Sequence, residues 1–399
     1  MFDLITACNP LPKVKRTVFN YRRADFDGLR AHLQSLNLKE KISDHGDINK
    51  DWSEWKDSFL AAVKQFVPTA NLKGRKSLPW MNSKILHLIK KKNSLRMKIK
   101  RSSSPSDYLR DQFKSLRSTI KRMLRDSRLE YMNKICANRD HNPKRFWSFF
   151  KTRSKVSNIP GKVSTKVNDS ERKHANSNTD IANMFNEYFV SIFSSDSDVA
   201  LEHGDRLHNV EFENITLSEE EVLAVIMNLD HNKAHGPDNI PARPLKETAA
   251  QIAPSLCSLF NKSLRIGVVP DDWKLANVVP VYKHGEKAEV ENYRPISLLS
   301  LISKTLERCV FNNIKHHAYG QINPCQNGFV PKKSCITQLI EVLDHIGRDL
   351  DRGKQIDVIY LDMSKAFDKV SHAKLLHRLR EFGMICQTSK KAQALLTSN

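Results

Sequence analysis

Phe26, Leu29, Leu33 and Leu36, followed by Trp52, Trp55, Phe59, Val63 and Phe66, recur at three- and four-residue steps. That period puts each set on one side of a helix and predicts a mostly helical, mixed-charge opening segment. Leu109, Phe113, Leu116, Ile120 and Met123 follow at 4-3-4-3 intervals and predict one long helix. Ile181, Phe185, Tyr188, Phe189 and Ile192 mark a compact amphipathic helix. Ser218 through Glu221 fit a capping box opening a helix with Val222, Val225, Ile226 and Leu229 inward. Ile252, Leu256, Leu259, Phe260 and Leu264 define another helix, which Gly267 and Pro270 terminate. Leu275 to Tyr282 reads as an edge strand or extended segment because of its internal Pro280. Helices are expected near 301–317 and 336–352, and Ile356 to Leu361 reads as a short strand buried on both faces.

Composition narrows the class. The chain has 399 residues and 40% hydrophobic content, enough for cored domains. It has no run of about 18 apolar residues and no basic-then-apolar leader, so an intracellular protein without a membrane span is expected. Seven scattered cysteines without a C-x-x-C pair argue against a disulfide framework or zinc knuckle and read as ordinary thiols.

Charge changes the picture more. Between Lys73 and Lys155 there are 25 Lys and Arg against 5 Asp and Glu, which places +20 of the formal +21 in one block. Arg110, Lys114, Arg117, Lys121, Arg125 and Arg128 form a stripe beside the apolar stripe of the long helix. Such a block suits a polyanion, whose phosphates release counterions on binding; the alternative, a salt-laced solvated face, lacks the acidic partners it needs. Tyr131, Phe146, Trp147, Phe149 and Phe150 interleave with Lys144, Arg145 and Lys151, a pattern that fits stacking on unpaired bases and equally an apolar helix face.

The remaining chemistry sits downstream. Asp362 follows the apolar segment 356–361, and a carboxylate at a strand tip in a basic protein suits Mg²⁺ with phosphates completing the shell; a strand-end Asp also serves as a helix cap. Two-metal phosphoryl chemistry needs more than one carboxylate. The ordered set GPDNIP (236–241), VVPVYK (278–283), NYRPISLLS (292–300), QNGF (326–329) and LDMSKAFDKV (361–370) resembles the reverse-transcriptase signature of non-LTR retrotransposons, particularly jockey-like elements. Residues around Tyr21 to Phe26 and Leu78-Pro79-Trp80 are less specifically similar to the stretch preceding the polymerase in those reading frames.

The resemblance implies an α+β fold, with a helical basic N-terminal region followed by the fingers and first palm strand of a right-hand polymerase, the palm incomplete and the thumb absent. It implies RNA-templated DNA synthesis from dNTPs, with an RNA template, a DNA primer and Mg²⁺. Asp362 matches the first metal-binding aspartate, and Phe367 the position beneath the incoming sugar. Arg294 and Lys283 match basic residues on the nucleotide triphosphate. Each has a plainer alternative, a surface ion pair for Arg294 and simple core for Phe367. The organisation expected is a helical connector over 1–72, a basic nucleic-acid-binding region over 73–155, a flexible linker over 156–180, a helical extension over 181–270 and a truncated reverse-transcriptase domain over 271–399. No Tyr-x-Asp-Asp motif occurs, and after Asp362 the acids are Asp368 and Glu381. The expectation is therefore a chain inactive alone, with unpaired edges and exposed apolar surface beside Asp362. The alternative is a non-enzymatic RNA-binding protein acting through residues 73–155.

Overall fold

The computed structural model describes residues 16–72, 78–102, 104, 106–137, 147, 159–168, 171–193 and 215–382. Strand β1 (Arg16–Phe19) pairs with β2 (Thr69–Leu72). By packing, the chain divides into two units, Met1–Val18 with Ala70–Asn158 and Phe19–Thr69 with Ile159–Asn399.

The first unit is built on α3 (Ser83–Arg101) and α4 (Asp107–Ala137). Asn82 caps α3 by accepting from the Ile85 amide, as a polar residue before a periodic run does. On α4 the 4-3-4-3 stripe is the packed side: Ile120 is buried, and Leu109, Phe113, Leu116 and Met123 are half-buried. The Ser127 hydroxyl donates to the Trp80 carbonyl at 2.6 Å, and the rings of Trp80 and Tyr131 lie 5.9 Å apart, tying α4 to the chain entering α3.

The second unit gathers α1 (Phe26–Ser35), α2 (Ile48–Phe66), α6 (Glu219–Met227), α7 (Ala242–Glu247), α8 (Ala249–Ile266) and α9 (Leu301–Gln321) around one core. The predicted inward residues do meet: Leu29, Leu33, Trp52, Trp55, Phe59, Val63, Val222, Ile226, Ile252, Leu256, Leu259 and Phe260 belong to that core. Trp55 and Trp273 are within it, and the Trp55 indole donates to Ser255 at 2.9 Å, so its polar edge is satisfied while its rings are buried. Ser218 and Glu221 make the predicted capping box, and Gly267 closes α8 in the left-handed region at φ 71°. The helices of the opening segment thus share a core with those before and within the motifs.

A second, smaller cluster corrects the linker expectation. Within 156–180, β3 (Val163–Asn168) and β4 (Glu171–Ala175) form an antiparallel hairpin. Val163 and Ala175 are buried with Ile181, Met184, Phe185 and Phe189 of α5 (Asn178–Ile192), together with Val290 and Tyr293. Composition suggested a linker because the strands are polar on their outer positions; two small apolar anchors suffice once α5 covers them.

The downstream part differs from the pattern reading in burial. Helix α10 (Cys335–Asp351) forms, but Ile336, Leu339, Ile340 and Leu343 on its apolar side are exposed. Residues 356–361 form no strand: Ile359, Tyr360 and Leu361 are more than 80% exposed. An apolar segment becomes a buried strand only when neighbouring strands take its backbone hydrogen bonds, and no described residue does so here. Helix α11 (His372–Glu381) follows. Among the described residues no helix is long and apolar enough to cross a membrane.

Candidate nucleotide and nucleic-acid interface

Strands β5 (Asn277–Tyr282) and β6 (Tyr293–Leu298) form an antiparallel hairpin in which Val281 faces Arg294 and Tyr282 faces Tyr293. Side chains alternate between faces, so the hairpin has two distinct sides. On one side Tyr293 is buried, its ring 5.0 Å edge-on from Phe185 and 5.7 Å from Tyr282, and burial pushes its phenol above the ordinary value. On the other, Val279, Val281 and Ile296 are exposed, and so is Arg294. Lys283, two positions beyond Val281, falls on that same open side; its amide donates to Asn292 at 2.8 Å and its side chain is exposed. Gly285 lies at φ 88° with the Asn292 amide 2.5 Å from where a Cβ would stand, so the turn between the strands needs glycine there.

Two signature segments dock on each other. A Cβ on Gly236 would lie 2.5 Å from the Ser300 nitrogen and 2.6 Å from the Leu299 carbonyl carbon. Ser300 ends the NYRPISLLS run and caps α9, accepting from the Ile302 and Ser303 amides at 3.2 and 3.4 Å. Asp238 is buried beside it; one carboxylate oxygen accepts from the Ile240 amide at 3.3 Å and the other has no hydrogen-bond partner among the described residues. Burial raises the Asp238 carboxyl above its ordinary value, against the lowering effects of Ser300 and the Ile240 amide.

The segment bearing Asp362 is held at two other points. Lys365, at φ 53°, donates to the Tyr188 hydroxyl at 2.7 Å and lies 4.6 Å from that ring's centre. Phe367 meets Phe329 of the QNGF turn edge-on, with ring centres 6.0 Å apart. Phe367 is exposed rather than core. Tyr188, on the apolar side of α5, packs against the smaller core and also reaches Lys365, a contact that leaves no local trace in the sequence. Asp362 itself is exposed and has no hydrogen bond or ion pair among the described residues. No group of three His, Cys, Asp or Glu suited to a metal ion occurs among the described residues.

In the first unit Arg110, Lys114, Arg117, Lys121, Arg125 and Arg128 are all exposed on α4. Arg110, Lys114 and Arg125 have nearby carboxylates in Asp107, Asp111 and Asp126 at 3.8, 3.4 and 3.5 Å; Arg117, Lys121 and Arg128 have none among the described residues. Phe146, Phe149 and Phe150 lie outside the described residues, whereas Trp147 is exposed.

Residues 281–395 match the reverse transcriptase (RNA-dependent DNA polymerase) family. The chain is similar to the probable RNA-directed DNA polymerase from transposon BS of Drosophila melanogaster, at 32% identity over 41% of this chain and 18% of that protein. It is similar to the probable RNA-directed DNA polymerase from transposon X-element of the same species at 33% identity, over 40% of this chain and 18% of that protein. With the RNA-directed DNA polymerase from mobile element jockey of Drosophila funebris the similarity, 23% identical, extends over 93% of this chain and 42% of the relative. The chain therefore carries a reverse-transcriptase segment of the kind found in non-LTR retrotransposons, and it spans less than half the length of these relatives.

Proposed function

We propose that this chain supplies the fingers and the first palm segment of an RNA-directed DNA polymerase acting inside the cell. Arg294 and Lys283 engage the triphosphate of a dNTP, Phe367 lies beneath its sugar, and Asp362 is one of the carboxylates for Mg²⁺. The observation that carries this reading is the two-sidedness of the β5–β6 hairpin. Tyr293 anchors one face in a core, which leaves Arg294 and Lys283 together on the open face. A planar guanidinium and a flexible ammonium on a rigid strand pair suit phosphate oxygens and offset the charge of phosphoryl transfer. Tyr188 and Phe329 support the Asp362 segment from outside its own motif.

By itself the 399-residue chain does not extend a primer in this reading. Among the described residues no further carboxylate joins Asp362 to make the set a two-metal centre requires, and members of such a constellation act as a unit. The test is primer extension on an RNA template with dNTPs and Mg²⁺, using this chain and its Asp362→Ala variant. Equal, background-level product is expected from both; product that disappears only in the variant would overturn the inactivity.

A second reading, non-enzymatic RNA binding through residues 73–155, is favoured by the exposed α4 cations, three of which lack acidic partners among the described residues. Binding of RNA by the full chain that weakens steeply with salt supports it.

A further inference from the structure

We infer that α3, rather than the α4 stripe, is the primary phosphate contact of the basic unit, and that it takes the sugar-phosphate backbone of nucleic acid without reading bases. This rests on the nucleic-acid-binding reading above and specifies where that binding occurs. The 19 residues of α3 contain eight Lys and Arg and no Asp or Glu. The 31 residues of α4 also contain eight Lys and Arg, but four Asp and Glu accompany them. The cationic density of α3 is therefore higher in a shorter helix, with nothing on that helix to neutralise it.

Geometry organises that charge. Ile85, Leu88, Leu95 and Ile99 are buried or half-buried and form the packed side of α3. Lys84, His87, Lys91, Lys98 and Arg101 follow at three-, four- and seven-residue steps, one residue round from that side, and all are exposed. At 1.5 Å per residue the row is about 26 Å long. None of its Lys or Arg has an acidic partner among the described residues. On α4, by contrast, a phosphate would compete with Asp107, Asp111 and Asp126 for half the stripe. A phosphate arriving at α3 displaces no carboxylate, and it relieves repulsion between like charges along the helix. Apart from the His87 imidazole the α3 row contains no ring, and no Phe, Tyr or Trp lies on α3, so it lacks an extended stacking platform for bases and contact is chiefly with the backbone.

The test compares two variants of the full chain, each losing three unpartnered cations: Lys84→Gln with Lys91→Gln and Lys98→Gln on α3, and Arg117→Gln with Lys121→Gln and Arg128→Gln on α4. Gln keeps helix propensity close to that of Lys and Arg, and far-UV circular dichroism checks that the helices persist. Affinity for a mixed-sequence RNA of about 30 nucleotides, single-stranded or duplex, is measured across a salt series. The α3 set is expected to weaken binding at least tenfold near 0.1 M salt, and to flatten the log–log salt slope by about 2 to 3, at roughly 0.7 to 0.9 per lost contact. The α4 set is expected to cost less than about threefold and to change the slope by less than about 1. An equal or larger loss from the α4 set, or binding unchanged in both, overturns the assignment to α3. Absence of salt-dependent binding by the unaltered chain instead overturns the nucleic-acid reading beneath it.

Discussion

Phe367 meets Phe329 ring edge to ring face, with the planes 89° apart and the centres 6.0 Å apart, joining the Asp362 segment to the QNGF turn. Both rings remain more than three-quarters exposed, so the contact fixes relative position more than it buries area. A double-mutant cycle with Phe329→Ala and Phe367→Ala, read by urea unfolding, should give a coupling of about 0.5 kcal/mol, at the low end for aromatic pairs. Coupling near zero would show that the rings do not hold each other in solution.

Gly236 is specified by the backbone of Leu299 and Ser300. Gly236→Ala would drive a methyl into atoms that belong to the cap of α9, and should destabilise by about 2 kcal/mol or more. Gly161→Ala has nothing within 4 Å of the new methyl and should change stability by less than about 0.5 kcal/mol. Denaturation midpoints of the two variants give the comparison directly.

Asp238 sets a pH dependence of definite sign. Its carboxyl is raised in the folded chain by burial, so its stabilising contribution is fully present below the unfolded value and is lost as pH rises through the folded one. Asp238→Asn keeps an oxygen for the Ile240 amide and removes the buried charge. The variant should be at least as stable as the parent at neutral pH, its advantage shrinking as pH falls toward 4. A variant less stable than the parent at pH 7 would show that the charge is used.

Lys262 and Asp51 form an ion pair at 2.5 Å inside the second unit, with both side chains almost fully buried. Lys262→Met strands the Asp51 carboxylate and should cost about 3 to 5 kcal/mol. Adding Asp51→Leu should recover part of that loss, because the uncompensated charge is then gone. Calorimetric melting of the single and double variants tests the order.

The described cysteines divide by burial. Cys136, Cys325 and Cys335 are exposed, whereas Cys257 and Cys309 are buried, and burial pushes the Cys309 thiol up to about 12. Because the thiolate is the reactive form, iodoacetamide at pH 8 should, among the described cysteines, modify Cys136, Cys325 and Cys335 first, and Cys309 only on unfolding. Peptide mass spectrometry resolves the order, and early labelling of Cys309 would contradict its burial.

Much of this architecture was legible in the chain. The stripes at Leu29 and Leu33, at Trp52 to Val63, and at Leu109 to Met123 became packed helix sides, because helical period is a local property and each stripe needs only some apolar partner. The capping box at Ser218 and the stop at Gly267 were equally readable, since caps are settled within four or five residues. The order of the five motifs led to the reverse-transcriptase kind, which the family match over 281–395 shows. The exposed state of the α4 stripe also followed from its spacing.

What the sequence by itself determined was helix positions, caps, the basic block and the motif order, all written in short-range patterns. Tertiary structure alone decided that 26–66 shares a core with 219–309, that a polar stretch becomes the β3–β4 hairpin, and that Gly236 rests on Ser300. It also decided that 356–361 stays open and that Tyr188 reaches Lys365. The reason is physical: a helix satisfies its own backbone, whereas a strand, a loop docked on a distant backbone or a single aromatic contact depends on groups far along the chain.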